Sequence, residues 1–298
     1  MFRFNFQKKL NENNENEDSK PSHPQEEVVL KPISTHVVDS DTFKLFPQDY
    51  FEEKNWDGHI KLKYLHICES SPTLKEESIL EEKSDLVPDV YEGGYKIWEC
   101  TWDLLQHIKE EKYDFKNCRV LDLGCGSGIL GIATTLQGAS EVTFQDYNED
   151  VINRWTIPNV VLNAENIDPL MAGDSAKDML NRKFKFYSGD WGSFSKDLML
   201  EEVNFDYILT SETIYNKKNY GKLINVFEKF LKPSGLMYPF PCILASKSYY
   251  FGVGGGTLEF INTVKRSGFL VSSSVCHTKD ITFKCSTGDS NNKKERMM

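Results

Sequence analysis

The middle of this 298-residue chain combines an acidic residue with a cluster of glycines, and a second acid follows soon after. Asp122 lies within Val120 to Gly128 (VLDLGCGSG), and Asp146 follows the next apolar run. Glycine has no Cβ, so the backbone there can lie against a ligand or adopt a positive φ without strain. A carboxylate can accept hydrogen bonds from both hydroxyls of a ribose. The pattern therefore predicts a strand, a tight turn and a helix that bind a nucleotide-type ligand.

Two classes of ligand fit this prediction. Gly126 to Gly131 matches G-x-G-x-x-G, and Asp146 follows at the spacing expected of an acid that binds a ribose, which is typical of a dinucleotide site. Asp122 favours the other class, because a pyrophosphate is bound best without a nearby anion. S-adenosylmethionine carries an ammonium and a sulfonium, and a carboxylate attracts both. We therefore expect Asp122 and Gly126 to bind S-adenosylmethionine, with a dinucleotide-dependent oxidoreductase as the alternative.

Each of these residues also has a purely structural alternative. Asp122 can be a solvated acid at the end of a strand, and the glycines can serve only close packing of strand and helix. Asp146 can cap the helix that follows it, a role that Asn148 can also fill. Further along the chain, Asp190 and Trp191 follow another apolar run, where a carboxylate beside an aromatic ring suits an adenine.

The elements that position these residues alternate between strand and helix. Apolar runs predict strands at Val120 to Leu123, Glu141 to Gln145, Phe184 to Tyr187, Asn204 to Thr210, Phe269 to Val275 and Ile281 to Lys284. A fifth strand, between the fourth and the last two, is expected to end at Ile243 to Ser246. Helices are predicted at Tyr95 to Lys112, Ile129 to Leu136, Glu149 to Leu162, Lys217 to Leu231 and Thr257 to Arg266, and a connecting loop at Ala164 to Lys183. Such alternation predicts an α/β fold whose sheet is largely parallel, with helices on both faces and a closing hairpin at one side. The hairpin is typical of a seven-stranded, Rossmann-like methyltransferase sheet and not of a dinucleotide fold.

Composition divides the chain into four parts. Residues 1–27 are poor in apolar residues after Phe6 and predict a disordered tail, although the alternation of Phe2, Phe4 and Phe6 also suits a short strand or a docking peptide. Residues 28–84 are expected to be an N-terminal extension, with a half-exposed strand at Ile60 to Ile67. Residues 85–285 form the predicted catalytic domain, and residues 286–298 a polar C-terminal tail.

The formal net charge of −10 disfavours a dedicated nucleic-acid binder and is compatible with a basic protein partner. The seven cysteines include no C-x-x-C pair, and the six histidines show no metal-ligand spacing, so we expect reduced thiols and no metal. No apolar run is long enough to cross a bilayer, and no signal peptide is recognisable. A soluble, unsecreted protein is the expectation.

Six sequence segments closely resemble, in the same order, those of the eukaryotic histidine protein methyltransferases. This family belongs to the seven-β-strand, S-adenosylmethionine-dependent class. The segments are Val90 to Thr101, Val120 to Gly128, Phe144 to Asn148, Pro158 to Asn163, Ile208 to Asn216 and Ala245 to Gly256. The resemblance extends from about Ser84 to Lys284 and also includes the F-R-F-N-F start. It implies methylation of the tele ring nitrogen of a histidine in a large-subunit ribosomal protein, in the cytoplasm and in the nucleus or nucleolus. We further expect a monomer that has no specificity for nucleic acid and does not bind a membrane.

The resemblance also implies the site residues. The family's cofactor contacts fall on Ile97, Trp98, Glu99, Cys100, Thr101, Gly124, Gln145, Asp146, Tyr147, Gly189, Asp190, Trp191 and Ser211. Glu212 to Tyr215 resembles the acidic-x-x-aromatic motif that related methyltransferases place beside the accepting atom. We therefore expect Glu212 to hold the substrate imidazole and Tyr215 or Tyr147 to pack against it. The alternative is that Glu212 caps the next helix or pairs with a lysine there.

Other functions stay open on the sequence alone. A lysine methyltransferase of a neighbouring family and a catalytically silent ribosome-assembly factor would share the cofactor residues. Met237 to Pro241 departs from the family pattern within the fifth strand, since two prolines cannot donate to an interior ladder. This segment and the N-terminal extension leave substrate recognition unassigned.

Overall fold

The computed structural model describes residues 2–6, 30–39, 42, 51–58, 60–65, 92–167, 176–197, 203–231, 242–268 and 270–275. Its strands are β1 (Phe2–Phe6), β2 (Ser34–His36), β3 (Phe51–Asp57), β4 (Ile60–Leu65), β5 (Arg119–Leu123), β6 (Glu141–Asp146), β7 (Phe184–Ser188), β8 (Tyr207–Ser211), β9 (Cys242–Ala245) and β10 (Leu270–Val275). Its α-helices are α1 (Glu99–Glu110), α2 (Ile129–Leu136), α3 (Glu149–Val151), α4 (Ile157–Leu162), α5 (Ala164–Ile167), α6 (Ala176–Lys183), α7 (Trp191–Phe194), α8 (Tyr220–Phe230) and α9 (Thr257–Ser267). A π-helical segment, Ile152–Thr156, joins α3 to α4, and a 3₁₀ turn, Lys217–Asn219, precedes α8.

Eight of the described strands form one sheet in the order β10-β1-β9-β8-β5-β6-β7-β2. The five strands from β9 to β7 are parallel, and β2 at one edge and β1 at the other pair antiparallel with them. Strand β10 pairs antiparallel with β1 and so runs in the same direction as the five parallel strands. Parallel strands need helical crossovers, which cover both faces of a sheet and explain the nearly continuous burial of β5 and β8. The α/β fold of the seven-stranded methyltransferase type is therefore confirmed. The carboxyl ends of the parallel strands lie at one edge, where open α/β sheets bind their ligands.

The helices bury an apolar layer on each face of the sheet. On one face α1, α2 and α4 pack over side chains such as Leu104, Ile132 and Phe144. On the other face α8 and α9 bury Phe227 and Phe260. These two layers fix the ends of the parallel strands relative to each other. No helix in the described part of the chain is both long and apolar enough to cross a bilayer.

The start of the chain corrects one prediction. Phe2–Phe6, expected to belong to a disordered tail, forms β1 and pairs with β9 on one side and β10 on the other. Composition missed this strand because its stability comes from backbone pairing with segments more than two hundred residues away. The remainder of the predicted tail and the predicted last strand, Ile281 to Lys284, lie outside the described residues. Strand β10 pairs with the start of the chain, and the expected closing hairpin stays a prediction because its second strand is not among the described residues.

One further expectation needs correction. The segment Ala164 to Lys183, expected to be a loop, contains α5 and α6, because Ala176 and Leu180 lie one helical turn apart and are both buried. The helix predicted from Glu149 to Leu162 is present over those residues, and its middle is the π-helical segment. There the hydroxyl of Thr156 donates to the carbonyl of Gly126 at 2.7 Å, which ties this segment to the glycine-rich turn.

Part of the predicted N-terminal extension packs on the catalytic fold. Strand β2 extends the sheet beside β7, and the β3–β4 hairpin packs against α2 and α4. Asn163 accepts a hydrogen bond from the backbone N–H of Lys63 at 3.0 Å and donates to the carbonyl of the same residue at 2.7 Å. Met237 to Pro241 lies outside the described residues, and the predicted domain boundaries stay predictions.

Candidate active site

The turn after β5 forms one wall of an open cleft of about 860 Å³. Gly124 and Gly126 have positive φ angles of 65° and 49°. A Cβ on Gly124 would lie 2.6 Å from the side chain of Thr213, and one on Gly126 would lie 3.1 Å from the carbonyl oxygen of Gly94. Only glycine therefore leaves this wall of the cleft as bare backbone.

Asp146 stands at the carboxyl end of β6 and lines the same cleft. Its carboxylate accepts the backbone N–H of Gly126 at 2.9 Å and that of Asn148 at 3.1 Å. Burial raises the pKa of this carboxyl group, and the backbone hydrogen bonds oppose that rise. Its bonds go to the turn and to the segment before α3, and not to the N–H groups of a helix as a cap would require. The alternative that Asp146 is a helix cap is therefore not what the structure shows.

The position of Asp122 differs from the sequence prediction that its carboxylate attracts a cationic ligand. Its side chain is 1% exposed, does not line the cleft, and accepts the backbone N–H of Gly131 in α2 at 2.9 Å. Burial raises the pKa of this carboxyl group to about 8. Asp122 thus fixes α2 behind the turn, and the spacing alone gave no sign of the direction in which its side chain points.

Asp190 and Trp191 lie where the third parallel strand ends, and both line the cleft. Asp190 caps α7 by accepting the N–H of Gly192 at 2.7 Å, and its other oxygen pairs with the ammonium of Lys222 at 2.7 Å. The indole N–H of Trp191 donates to the side-chain oxygen of Gln145 at 2.8 Å. Gln145 does not line the cleft. It supports the indole ring through this hydrogen bond.

The wall formed by the start of α1 contains only some of the residues carried over from the resemblance. Ile97, Trp98 and Thr101 line the cleft, whereas Glu99 and Cys100 do not. Helix α1 begins at Glu99, and side chains of a helix point in different directions with a period of 3.6 residues, so Glu99, Cys100 and Thr101 cannot all face one cavity.

Side-chain hydrogen bonds hold this wall in place. Thr101 shares a hydrogen bond of 2.7 Å with Ser211 at the end of β8, and the indole N–H of Trp98 donates to the carbonyl of Gly93 at 3.1 Å. The wall is thereby tied to the fourth parallel strand and to the turn before α1.

Glu212 follows β8 and has a positive φ of 59°, which is uncommon for a residue with a side chain. Its side chain is buried and lines the cleft. The phenol of Tyr250 donates a hydrogen bond to Oε2, and the ammonium of Lys247 lies 4.0 Å from Oε1. Oε1 accepts no N–H or O–H hydrogen bond from the described residues. A buried acceptor of this kind is costly to leave unpaired, so it is suited to receive a donor from a ligand.

Glu212 does not cap the next helix, because the side chain of Asn216 accepts the N–H of Lys218 there. Burial and the charge of Glu212 raise the pKa of the neighbouring Cys100 thiol, which stays protonated. Tyr215 also lines the cleft, and its hydroxyl donates to the carboxylate of Glu92. The acid and the aromatic residue of the predicted catalytic pair therefore share one cavity.

Predicted and unpredicted residues meet in the cleft. The predicted residues that line it are Ile97, Trp98, Thr101, Gly124, Gly126, Asp146, Tyr147, Gly189, Asp190, Trp191, Ser211, Glu212 and Tyr215. The lining residues that were not predicted are Glu92, Gly93, Gly94, Lys96, Cys125, Ser127, Leu130, Thr213 and Asn219. Lys96, Cys125, Ser127 and Thr213 each neighbour a predicted residue in the sequence, and Glu92, Gly93 and Gly94 belong to the segment Val90 to Thr101 that resembles the family. Among the described residues, no group of three His, Cys, Asp or Glu side chains is arranged to hold a metal ion.

Comparison with known proteins identifies the family. A family profile described as "Lysine methyltransferase" matches residues 75–250. "Histidine protein methyltransferase 1 homolog" of Rattus norvegicus is 37% identical, over 83% of this chain and 71% of its own length. The protein of the same name from Dictyostelium discoideum is 42% identical over 69% of this chain and 60% of its own. "Histidine protein methyltransferase 1" of Schizosaccharomyces pombe is 29% identical over 73% of this chain and 69% of its own. The chain belongs to the histidine protein methyltransferase family.

Membership in the histidine protein methyltransferase family confirms the resemblance seen in the sequence and decides between the two ligand classes. The cofactor is S-adenosylmethionine, and the cleft fits it. Gly124 and Gly126 offer bare backbone, Asp146 offers a fixed carboxylate for ribose hydroxyls, and Trp191 offers an apolar ring beside Asp190. The dinucleotide oxidoreductase is excluded, although the glycine motif by itself permitted it.

Proposed function

We propose that this protein transfers a methyl group from S-adenosylmethionine to the tele nitrogen of a histidine in a large-subunit ribosomal protein. The observation that carries the proposal is the buried carboxylate of Glu212, which lines the cleft, is held by Tyr250 and keeps one oxygen without an N–H or O–H donor among the described residues. The names of the relatives support histidine as the acceptor. The ribosomal substrate rests on the family resemblance.

The proposed reaction asks little of the protein beyond orientation. The bound cofactor supplies an electrophilic methyl group on a sulfonium. Imidazole has an unperturbed pKa of about 6.5, so at pH 7 most of it is neutral and has a free lone pair. Alignment of two reactants can lower a barrier by roughly 7–11 kcal/mol in favourable cases. No strong base is therefore required.

Glu212 is suited to orient the ring. When its Oε1 accepts the N–H of the pros nitrogen, the reactive lone pair lies on the tele nitrogen. Positive charge develops on the ring during transfer, and a nearby carboxylate stabilises it. Tyr215, whose hydroxyl is held by Glu92, packs against the ring from the same wall.

A lysine acceptor is the second candidate, because the matching family profile carries that description. The site favours histidine for a physical reason. A carboxylate next to a lysine stabilises the ammonium form, which has no lone pair to attack a methyl group. The same carboxylate beside a neutral imidazole fixes its tautomer and leaves the reactive lone pair free.

The proposed setting follows from charge and from the resemblance. A net charge of −10 suits contact with a basic ribosomal protein and disfavours direct binding to RNA. We place the reaction in the cytoplasm and in the nucleus, including the nucleolus, with the enzyme acting as a monomer.

The test is to incubate the protein with labelled S-adenosylmethionine and ribosomal proteins from cells that lack this methyltransferase. Mass spectrometry then identifies the modified residue. We expect tele-methylhistidine in one large-subunit protein and none with the Glu212→Gln variant. Methyl-lysine would support the second candidate, whereas cofactor binding without any product would support a silent assembly factor.

A further inference from the structure

Exposed apolar side chains cluster beside the cleft. Five large apolar side chains are exposed among the described residues. Four of them are Tyr249, Phe251, Val253 and Leu258. Phe251 is 84% exposed, and its ring meets that of Tyr249 edge to face at 5.1 Å. We call residues 249–256 the aromatic loop, and Leu258 follows it in the first turn of α9. A clustered apolar surface of this kind marks an interaction site more often than scattered exposed residues do.

Backbone contacts fix the base of the aromatic loop to the wall of the cleft. The N–H of Gly255 donates to the carbonyl of Tyr215 at 2.9 Å, and the N–H of Tyr250 donates to the carbonyl of Gly255 at 2.9 Å. A Cβ on Gly255 would lie 2.2 Å from that Tyr215 oxygen, so only glycine permits this approach. The exposed rings are therefore held in place beside the catalytic wall.

One residue of the loop points the other way. Tyr250 is half-buried, and its hydroxyl donates to Glu212, while its neighbours Tyr249 and Phe251 face solvent. The same short loop thus contacts the proposed catalytic carboxylate on its inner side and presents aromatic rings on its outer side. The two exposed rings therefore flank, in the chain, the tyrosine that contacts Glu212.

We propose that Tyr249 and Phe251 bind an apolar segment of the substrate protein next to the accepting histidine. The inference rests on the proposed function and names the recognition surface of that site. Apolar contact is favoured over charge, because Lys217 and Glu259 on the flank of the loop pair with each other at 3.2 Å. Tyrosine and phenylalanine also offer large contact areas at a low cost in side-chain entropy, as hot-spot residues do.

The test compares the double variant Tyr249→Ser/Phe251→Ser with Val37→Ser. Val37 is 62% exposed and directly follows β2 at the opposite edge of the sheet, so it controls for loss of any exposed apolar side chain. The substrate is protein from large ribosomal subunits of cells lacking this methyltransferase, and the readout is methylhistidine. We expect the apparent KM of the double variant to rise about tenfold to a hundredfold, as for loss of interface anchors. The kcat and the thermal shift given by S-adenosylhomocysteine should stay unchanged, as should all properties of Val37→Ser.

Other results would overturn the inference. An unchanged KM, or an equal rise in Val37→Ser, would mean that the rings do not bind substrate. A fall in thermal stability confined to the double variant would mean that the chain itself covers the loop, and a change in sedimentation would mean that a second copy does. No methylation by the wild-type protein would overturn the proposed function and this inference together. Methylation with an unchanged KM would overturn this inference alone.

Discussion

The two sides of the cleft are built in different ways. On the cofactor side, the backbone N–H groups of Gly126 and Asn148 hold the carboxylate of Asp146. On the acceptor side, the acid is held by side chains from another part of the chain, as Glu212 is by Tyr250 and Lys247.

The two sides of the cleft are therefore sensitive to different kinds of substitution. A site made of backbone changes little with most side-chain substitutions and fails when a glycine gains a side chain. A site made of side chains can be dissected one hydrogen bond at a time. The following variants test that contrast.

The largest effect is expected from Gly126→Arg on the cofactor side. Gly126 has a positive φ and faces the carbonyl of Gly94, so a long side chain there both strains the turn and fills the cleft. We expect the thermal stabilisation by S-adenosylhomocysteine to be lost. Gly221→Ala in α8 is the matched control, since a Cβ there meets nothing within 4 Å. Stabilisation that persists in Gly126→Arg would place the cofactor elsewhere.

Glu212→Gln should have the next largest effect, this time on the acceptor side. Replacing the carboxylate removes the charge that stabilises the developing imidazolium, and loss of one preorganised electrostatic group costs about 10²–10³-fold. We expect the single-turnover rate at pH 7.5 to fall about a hundredfold or more, while S-adenosylhomocysteine still stabilises the fold. Glu259→Gln, an exposed carboxylate paired with Lys217, is the control. A loss of only a few-fold would remove Glu212 from the mechanism.

Tyr250→Phe should produce a smaller loss, because Glu212 keeps Lys247 nearby. A hydrogen bond to a charged group contributes about 1.5–3 kcal/mol, which corresponds to a loss in kcat of roughly tenfold or more. The KM should not change, since the outer rings of the loop remain. Tyr113→Phe, at the far end of α1, is the control for loss of a phenol. Full activity of Tyr250→Phe would mean that the acceptor carboxylate is positioned without this bond.

The smallest effect on the cleft is expected from Asp122→Asn, because Asp122 does not line it. Burial raises the pKa of this carboxyl group from 3.8 to about 8 in the folded protein. The stability that the neutral carboxyl group contributes is therefore complete below about pH 4 and is lost as the pH rises towards 8. Denaturant unfolding from pH 4 to pH 8 should show a decline in the wild-type free energy of unfolding that is flatter in Asp122→Asn. Asp150→Asn, a more exposed acid near Arg154, should keep the wild-type slope.

Prediction from sequence succeeded where signals are local. The glycine turn, the strand before it and the amphipathic helices α8 and α9 all depend on patterns within about fifteen residues. Prediction failed where a distant segment completes the structure. Phe2–Phe6 becomes an interior strand only because β9 and β10 flank it, and α6 becomes a helix where the composition suggested a loop.

The candidate site shows the same division. Asp146 was recognisable from the sequence because strand ends in parallel sheets meet at one edge. The inward direction of Asp122 and the support of Trp191 by Gln145 were not, since both depend on which face of a strand a side chain occupies. The bond from Tyr215 to Glu92 joins residues 123 positions apart.

The order of the five central parallel strands, the bare backbone of the cofactor turn and the family could all be predicted from the sequence. These properties follow from local propensity and from motifs that neighbouring residues complete. Only the tertiary structure decided which side chains hold Glu212, where the aromatic loop stands and what flanks β10. Those contacts depend on the path of the chain between distant segments, and no pattern of neighbouring residues encodes that path.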